Sequence, residues 1–130
     1  MKLRIGVGVL LLLATLAPST QKQARVTGFF SDMQYIPEAG DVVGAEVWIV
    51  YGGDHYYATI QLAEGVPFPP VVVPVDVSGS TVKFAVPDQG VNADGIPAPL
   101  NFEGIVTPTG LVGKVGSQKL NLKRRSSYWQ

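Results

Sequence analysis

Side chains that could take part in acid–base or metal chemistry are few in this sequence. Its 130 residues include ten Asp and Glu, the single histidine His55 and no Cys. Without Cys the chain cannot build a disulfide framework, a Cys-ligated zinc site or a thiol nucleophile. One His is too few for a histidine-built zinc site, and a Ser-His-Asp triad is hard to assemble around it. We therefore expect no cofactor and no metal centre.

The motifs of the common enzyme classes are also missing. The sequence has no Gly-x-Ser-x-Gly elbow, phosphate-binding loop or dinucleotide fingerprint. Segment 90–95 faintly resembles a calcium loop, but Gly90 stands at the first ligand position and Asn101 at the twelfth, which needs a bidentate Glu. Paired carboxylates are the remaining catalytic option. We predict that the protein is not an enzyme.

An aromatic-rich segment is the best candidate for a binding site. Trp48 and Tyr51 precede a predicted turn, and His55, Tyr56 and Tyr57 follow its first residues. Gathered at the mouth of a barrel, these rings could line an apolar pocket with polar groups at its edge. The alternative is structural, because cross-strand aromatic pairs stabilise hairpins by about 0.2–1 kcal/mol each. Strand alternation also places Trp48 and Tyr51 on opposite faces.

The first residues have the pattern of a secretory signal peptide. Lys2 and Arg4 precede an apolar run over 5–17, and small residues follow. The run is shorter than the ~20 residues that a helix needs to cross a bilayer, so an uncleaved anchor is the less favoured alternative. We expect residues 1–19 to be a leader and residues 20–130 to be one domain, exported to the periplasm or the extracellular space. After leader removal we expect no membrane-spanning segment.

The remaining sequence alternates with the period of β-strands. It is rich in Val, and β-branched residues fit a pleated strand better than a helix. No window of helical length carries apolar residues at helical spacing. The alternating segments lie at 26–30, 43–51, 56–63, 71–77, 82–86, 102–106, 111–115 and 120–122.

Short turns between these segments predict an antiparallel meander. Gly-rich or Pro-Gly turns at 52–54, 78–80, 107–110 and 116–117 separate successive strands. An open sheet would expose two edges, which closure into a barrel removes. We therefore predict an all-β fold, a single antiparallel meander barrel of about eight short strands, with an open β-sandwich as the alternative. Pro74 cannot donate a ladder hydrogen bond, so we expect a bulge or an edge there.

The first predicted strand carries a motif that resembles a known group of barrels. The sequence TGFF at 27–30 is similar to the Gly-x-Trp signature that opens calycin barrels, the lipocalin, avidin and fatty-acid-binding group. In that group an Arg near the end of the last strand packs across the aromatic ring and closes the barrel base. The resemblance implies a barrel closure formed by Gly28, Phe30 and either Arg124 or Arg125. It also implies a ligand-binding role for a small exported barrel.

Charge is distributed unevenly along the chain. Residues 26–113 hold all ten acidic residues and one base, whereas 114–125 hold no acid and five bases, Lys114, Lys119, Lys123, Arg124 and Arg125. In a closed barrel the last strand pairs with the first, which predicts a cationic seam on an acidic body. This seam could contact an anionic envelope polymer or an acidic partner. Nucleic-acid binding is not expected, since the sequence pI is about 6.5.

Two segments stand outside the strand pattern. Segment 87–99 is long for an irregular loop in a compact domain, and a lid over the barrel mouth is one role for it. The chain ends in Tyr128, Trp129 and Gln130. Exposed terminal aromatic residues are unfavourable, so we expect them to fold back and plug one barrel end, with a docking tail as the alternative. Mid-strand Glu46 and Glu103 are expected to face solvent.

Two functions are compatible with these observations. The first is an exported, non-catalytic barrel that binds a small apolar ligand, or a partner, at the barrel mouth through the aromatic-rich segment. The second is a structural or interaction protein of the cell envelope that acts through the cationic seam. The two differ in how much of the barrel interior is free to hold a ligand.

Overall fold

The computed structural model describes residues 23–87 and 99–130. The expected leader and the expected loop at 87–99, apart from its two end residues, lie outside the described residues. All regular elements of the described part are strands: β1 (Gly28–Ser31), β2 (Gln34–Ile36), β3 (Asp41–Tyr51), β4 (Tyr56–Pro67), β5 (Val71–Ser78), β6 (Thr81–Val86), β7 (Leu100–Val106), β8 (Gly110–Val115) and β9 (Gln118–Arg124). Over these residues no helix has the length and apolarity to span a bilayer.

The strands form one antiparallel sheet that closes on itself. From β2 to β9 each strand pairs with the next along the chain, as in a meander. β1 pairs with both β9 and β3, which closes a barrel of eight strands, while β2 is an extra strand on the first residues of β3. The predicted all-β meander barrel is therefore confirmed, and the open sandwich is not formed.

β1 and β2 are two parts of one segment that runs along β3 in a single register. Where they separate, the Asp32 N–H donates to Ala45 O at 3.1 Å, and Asp32 Oδ1 accepts the Ala45 N–H at 2.7 Å. A side-chain oxygen thus replaces a backbone carbonyl in the ladder. Gly44 faces this junction with φ +114°, and a Cβ there would lie 2.9 Å from Met33 Cα and from Asp32 O.

Inward-facing side chains fill the middle of the barrel. Alternate residues of each strand point inward, and those with at most 1% exposure include Phe30, Ile49, Ile60, Val75, Val82, Val106, Leu111 and Leu122. Burial of each such side chain stabilises the fold by about 1.5–3 kcal/mol. A barrel of eight strands is just wide enough to be filled in this way by its own side chains.

Two inward-facing glycines make room for an aromatic stack. Gly104 and Gly113 lie opposite each other on β7 and β8. A Cβ on Gly113 would lie 2.6 Å from Cζ of Phe102, so the missing side chains leave the space that this ring occupies. The Phe102 ring stacks on Phe84 with centroids 4.7 Å apart.

The two ends of the barrel carry different connections. The proximal end, as we name it, holds segment 23–27, hairpin 52–55, turns 79–80 and 107–109, and the end of β9; the Val106 N–H donates to Ser80 O and the Arg124 N–H to Thr109 O there. The distal end holds the connections 37–40, 68–70 and 116–117, together with the last residue of β6 and the first residue of β7.

The two-residue hairpins follow the predicted turn chemistry. Gly79 and Gly116 each occupy the first central position of such a turn, with φ of +60° and +59°. Pro74 lies in the part of β5 that pairs with β4, before the ladder with β6 begins at Asp76. Its missing N–H is therefore at a position where β5 has an edge, one of the two outcomes expected for it.

Candidate functional site

Arg124 closes the proximal end of the barrel over the ring of Phe30. The guanidinium carbon lies 4.6 Å from the ring centroid, which is a cation–π geometry. The same guanidinium donates to three backbone carbonyls, those of Thr27 at 2.9 Å, Thr107 at 3.3 Å and Arg25. Desolvation by burial lowers the pKa of Arg124, and the nearby charge of Arg25 lowers it as well. One side chain thus connects the N-terminal segment, a turn and the first strand.

Gly28 provides the space for this arginine. It has a φ of +142°, and a Cβ there would lie 2.7 Å from Nη1 of Arg124. Arg125, the other arginine considered for the closure, has a different place. Its guanidinium donates to Met33 O at 2.7 Å, and its N–H donates to Phe29 O at 3.2 Å.

The N-terminal segment adds a second cover to the proximal end. Val26 is buried in the core, and Ala24 packs against the core cluster. Gln23 reaches the β5–β6 turn, where its Nε2 lies 3.7 Å from the position of a Cβ on Gly79. Side chains and backbone therefore cover the proximal end together with Arg124.

The aromatic residues of the β3–β4 hairpin lie at this covered end. Tyr51 and Tyr56 are opposite each other, with ring centroids 4.9 Å apart and tilted by 53°. His55 packs edge-on against Tyr57 at 5.6 Å. The hairpin therefore holds two separate aromatic pairs on its own strands.

Trp48 is apart from these pairs, on the outer wall of the barrel. Its ring stacks on that of Phe29, its cross-strand neighbour, with centroids 5.1 Å apart and an interplanar angle of 3°. It remains 43% exposed. The five residues considered for a mouth site, Trp48, Tyr51, His55, Tyr56 and Tyr57, are thus divided among three places.

The distal end presents an apolar ring that remains partly exposed. Its members are inward-facing residues of five strands that pack against the core below, and we call them the distal rim: Leu62, Val71, Leu100, Val115 and Leu120. The Phe84–Phe102 stack borders the rim, because Phe102 pairs with the rim residue Val115 across β7 and β8. The rim and the stack therefore continue the apolar core toward the distal ends of the strands.

Sequence reasoning missed the distal rim. Each member has the alternation of an ordinary core residue, so the pattern gives no sign of partial exposure. The signal that could have found it is indirect. If the TGFF motif and Arg124 close one end of the barrel, the free surface must be sought at the other end.

The C-terminal residues pack on the outer wall of β3 and β4, so the expected plug of a barrel end is wrong. Ser127 Oγ donates to Glu46 Oε1 at 2.6 Å, and the Tyr128 N–H donates to Glu46 Oε2 at 2.7 Å. Trp129 Nε1 donates to Gln61 Oε1 at 2.7 Å. We call residues 125–130 the C-terminal strap. The outer wall attracts it because it offers charged and amide acceptors, which the apolar core does not.

The strap also changes the environment of Glu46. This carboxylate faces outward, as expected, but it is only 7% exposed, so the expectation that it faces solvent is wrong. Burial of a carboxylate is tolerated when its oxygens are hydrogen-bonded. Glu103, in contrast, is exposed on the outer wall of β7, as expected.

A row of alternating charges crosses the outer wall from β5 to β8. Asp76 lies opposite Lys83, Lys83 opposite Glu103, and Glu103 opposite Lys114. Lys83 Nζ and Glu103 Oε1 are 3.4 Å apart, and this is the single ion pair within residues 23–87 and 99–130. The row lies along an open concavity of about 980 Å³.

Fewer bases are exposed in the cationic seam than the sequence predicts. Arg124 turns toward Phe30, whereas Arg125 stays exposed while its guanidinium donates to Met33 O. The exposed cations on the outer wall of β8 and β9 are Lys114, Lys119 and Lys123, of which the first two are direct cross-strand neighbours. Among the described residues, no three His, Asp or Glu side chains converge to hold a metal ion.

The fold and its closure define a class of protein, the small antiparallel meander barrels that are covered at one end. Comparisons with protein-family models, with curated proteins and with solved structures give no match for the chain.

Proposed function

We propose that this chain is an exported, non-catalytic binding protein of the calycin type, which accepts a small apolar molecule at the distal rim. The observation that carries this proposal is the asymmetry of the barrel ends. Arg124 and Val26 lie over the core at the proximal end, where Tyr56 and Val77 are partly buried. Five partly exposed Leu and Val side chains line the distal end. Accessible apolar side chains on a rigid scaffold are a usual feature of small-molecule sites.

The energetics favour an apolar ligand. Covering apolar surface yields about 25 cal/mol per Å², so a ligand that removes ~100 Å² of rim surface from water gains ~2.5 kcal/mol from that surface alone. The rim consists of aliphatic side chains such as Leu62 and Leu120. We therefore infer a ligand that is recognised by shape and apolar area.

Two further features support the assignment to an exported calycin-type barrel. The contact of Arg124 with Phe30 has the arrangement that the resemblance to calycins implies. The pattern of residues 1–19, with basic residues before an apolar run, is typical of an export signal. We propose a periplasmic or extracellular location on this basis.

A titration with a neutral apolar dye such as Nile red tests the proposed site. We compare the wild-type protein with Leu120→Gln at the distal rim and with Tyr51→Gln at the proximal hairpin. We expect the dye to bind the wild type, to bind Leu120→Gln at least tenfold more weakly and to bind Tyr51→Gln with little change. Weaker binding by Tyr51→Gln alone would place the site at the proximal aromatic residues and contradict the proposal. Circular dichroism of each variant verifies that the barrel is intact.

A second function, contact with an anionic envelope polymer, is favoured by the position of Lys114 directly opposite Lys119. Like charges face each other there, and an anionic partner would relieve their repulsion. Retention of the protein on an anionic polymer tests this function. The double variant Lys119→Ala/Lys123→Ala should elute at lower salt than the wild type, while Lys83→Ala, on β6, should not. If the double variant and the wild type elute at the same salt concentration, the cationic seam does not bind the polymer.

A further inference from the structure

Four exposed charged side chains form one row on the outer wall of the barrel. From β5 to β8 the row reads Asp76, Lys83, Glu103 and Lys114, each opposite the next across neighbouring strands. Neighbouring strands lie about 4.8 Å apart, so the row spans ~14 Å. Its signs alternate, beginning with an acid and ending with a base.

The inner and outer charges of the row differ in their partners. Lys83 and Glu103 form an ion pair at 3.4 Å. Within the described residues, neither Asp76 nor Lys114 has an oppositely charged group within 4.0 Å. On its other side Lys114 faces Lys119, a further cation. The row thus ends in two charges of opposite sign, neither of which is paired within residues 23–87 and 99–130.

This order of signs is complementary to a second copy of itself. A two-fold axis that passes between β6 and β7, parallel to the strands, reverses the row on the copy. Asp76 then faces Lys114 of the partner subunit, and Lys83 faces Glu103 of the partner subunit. Two-fold contacts of this self-complementary kind are the commonest in oligomers, and complementary charges fix the register of such a contact.

Apolar residues beside the row add area to this surface. Ile105 and Val112 lie opposite each other on β7 and β8, next to the charges along the strands. They are 53% and 47% exposed and line the same concavity. A docked copy would remove these aliphatic side chains from water, which supplies affinity that surface ion pairs alone lack.

We infer that the outer wall of β5–β8 is a self-association surface, on which a second copy of this chain docks about a two-fold axis with Asp76 of each copy facing Lys114 of the other. The inference is independent of the proposed ligand site, because the row faces outward and the distal rim faces inward. A protein that binds no apolar ligand can still form this dimer, and the reverse also holds.

Sedimentation velocity over a range of protein concentrations tests the surface through three forms of the protein. The wild type should form dimers that dissociate more readily at high salt, because screening weakens the ion pairs. Lys114→Asp places like charges opposite each other across the interface and should weaken dimerisation at least tenfold. The double variant Asp76→Lys/Lys114→Asp should restore the dimer.

The double variant distinguishes contacts between two copies from contacts of the same charges within one chain. Exchanging the two charges preserves both contacts between copies, but it puts like charges next to each other inside each chain. A matched control is Lys123→Asp, the same substitution on the outer wall of β9 outside the concavity, which should leave the dimer unchanged. A wild type that stays monomeric, a Lys114→Asp protein that dimerises normally, or a double variant no better than the single one would each overturn the inference.

Discussion

The guanidinium of Arg124 lies 4.6 Å above the ring of Phe30, its cross-strand neighbour on β1. This contact joins the last strand of the barrel to the first. The ladder between those strands has two residue pairs, whereas the ladder between β3 and β4 has ten. Backbone pairing between β1 and β9 is therefore short, and side-chain contacts between these strands carry a large share of barrel closure.

Arg124→Ala should destabilise the protein by about 2–4 kcal/mol. The variant loses a cation–π contact of about 0.5–2 kcal/mol and two partly buried hydrogen bonds, to Thr27 O and Thr107 O, of about 1 kcal/mol each. The bond to Arg25 O is exposed, so water can replace it. Arg124→Lys keeps the charge but loses the planar guanidinium, so its free energy of unfolding should lie between those of the wild type and Arg124→Ala. Urea unfolding measures the three values.

Lys123→Ala is the matched control for the contact between β9 and β1. Lys123 precedes Arg124 but faces outward and is exposed, so its removal should change the free energy of unfolding by at most about 0.5 kcal/mol. Equal losses of unfolding free energy in Arg124→Ala and Lys123→Ala would show that the contact of Arg124 with Phe30 does not stabilise the closure between β1 and β9.

Glu46→Ala should release the C-terminal strap. The substitution removes both acceptors of the Ser127 and Tyr128 bonds, and hydrogen bonds to charged groups contribute about 1.5–3 kcal/mol each. We expect a loss of about 2–4 kcal/mol and faster hydrogen exchange at the Tyr128 amide. Glu103→Ala should cost less than about 1 kcal/mol, because the ion pair of Glu103 is exposed. Slow exchange at Tyr128 in Glu46→Ala would contradict the strap contact.

Gly44→Ala should be more destabilising than Gly53→Ala. Both glycines have positive φ, +114° and +97°, so both variants share a conformational cost of about 1–2 kcal/mol. A Cβ at position 44 also meets Asp32 and Met33 within 2.9 Å, whereas a Cβ at position 53 meets nothing within 4 Å. Thermal unfolding should give a lower Tm for Gly44→Ala, and equal values would show that the junction of β1 and β2 is loose.

The strands could be predicted because alternation is a local property. Val47 and Ile49 face the core while Trp48 between them faces out, and this pattern is visible in the sequence. Closure followed from the cost of free sheet edges. The resemblance to calycin barrels leaves Arg124 and Arg125 as candidates for the residue over Phe30, and only the register of β9 on β1 distinguishes them.

The strap and the distal rim could not be predicted in the same way. Tyr128 bonds to Glu46, 82 residues earlier in the chain, and no periodic pattern links such distant positions. Likewise, Leu120 and Leu122 look alike in sequence, yet one is partly exposed at the rim and the other is fully buried. Their difference depends on which end of the barrel the N-terminal segment covers.

Native mass spectrometry of the protein, gently purified after expression of the full sequence, tests the central claim of an apolar site at the distal rim most directly. We predict an additional mass from a bound small apolar molecule on the wild type and on Tyr51→Gln, and the mass of the protein alone for Leu120→Gln. A wild type that carries no additional mass, or a Leu120→Gln protein that keeps it fully, would contradict the claim.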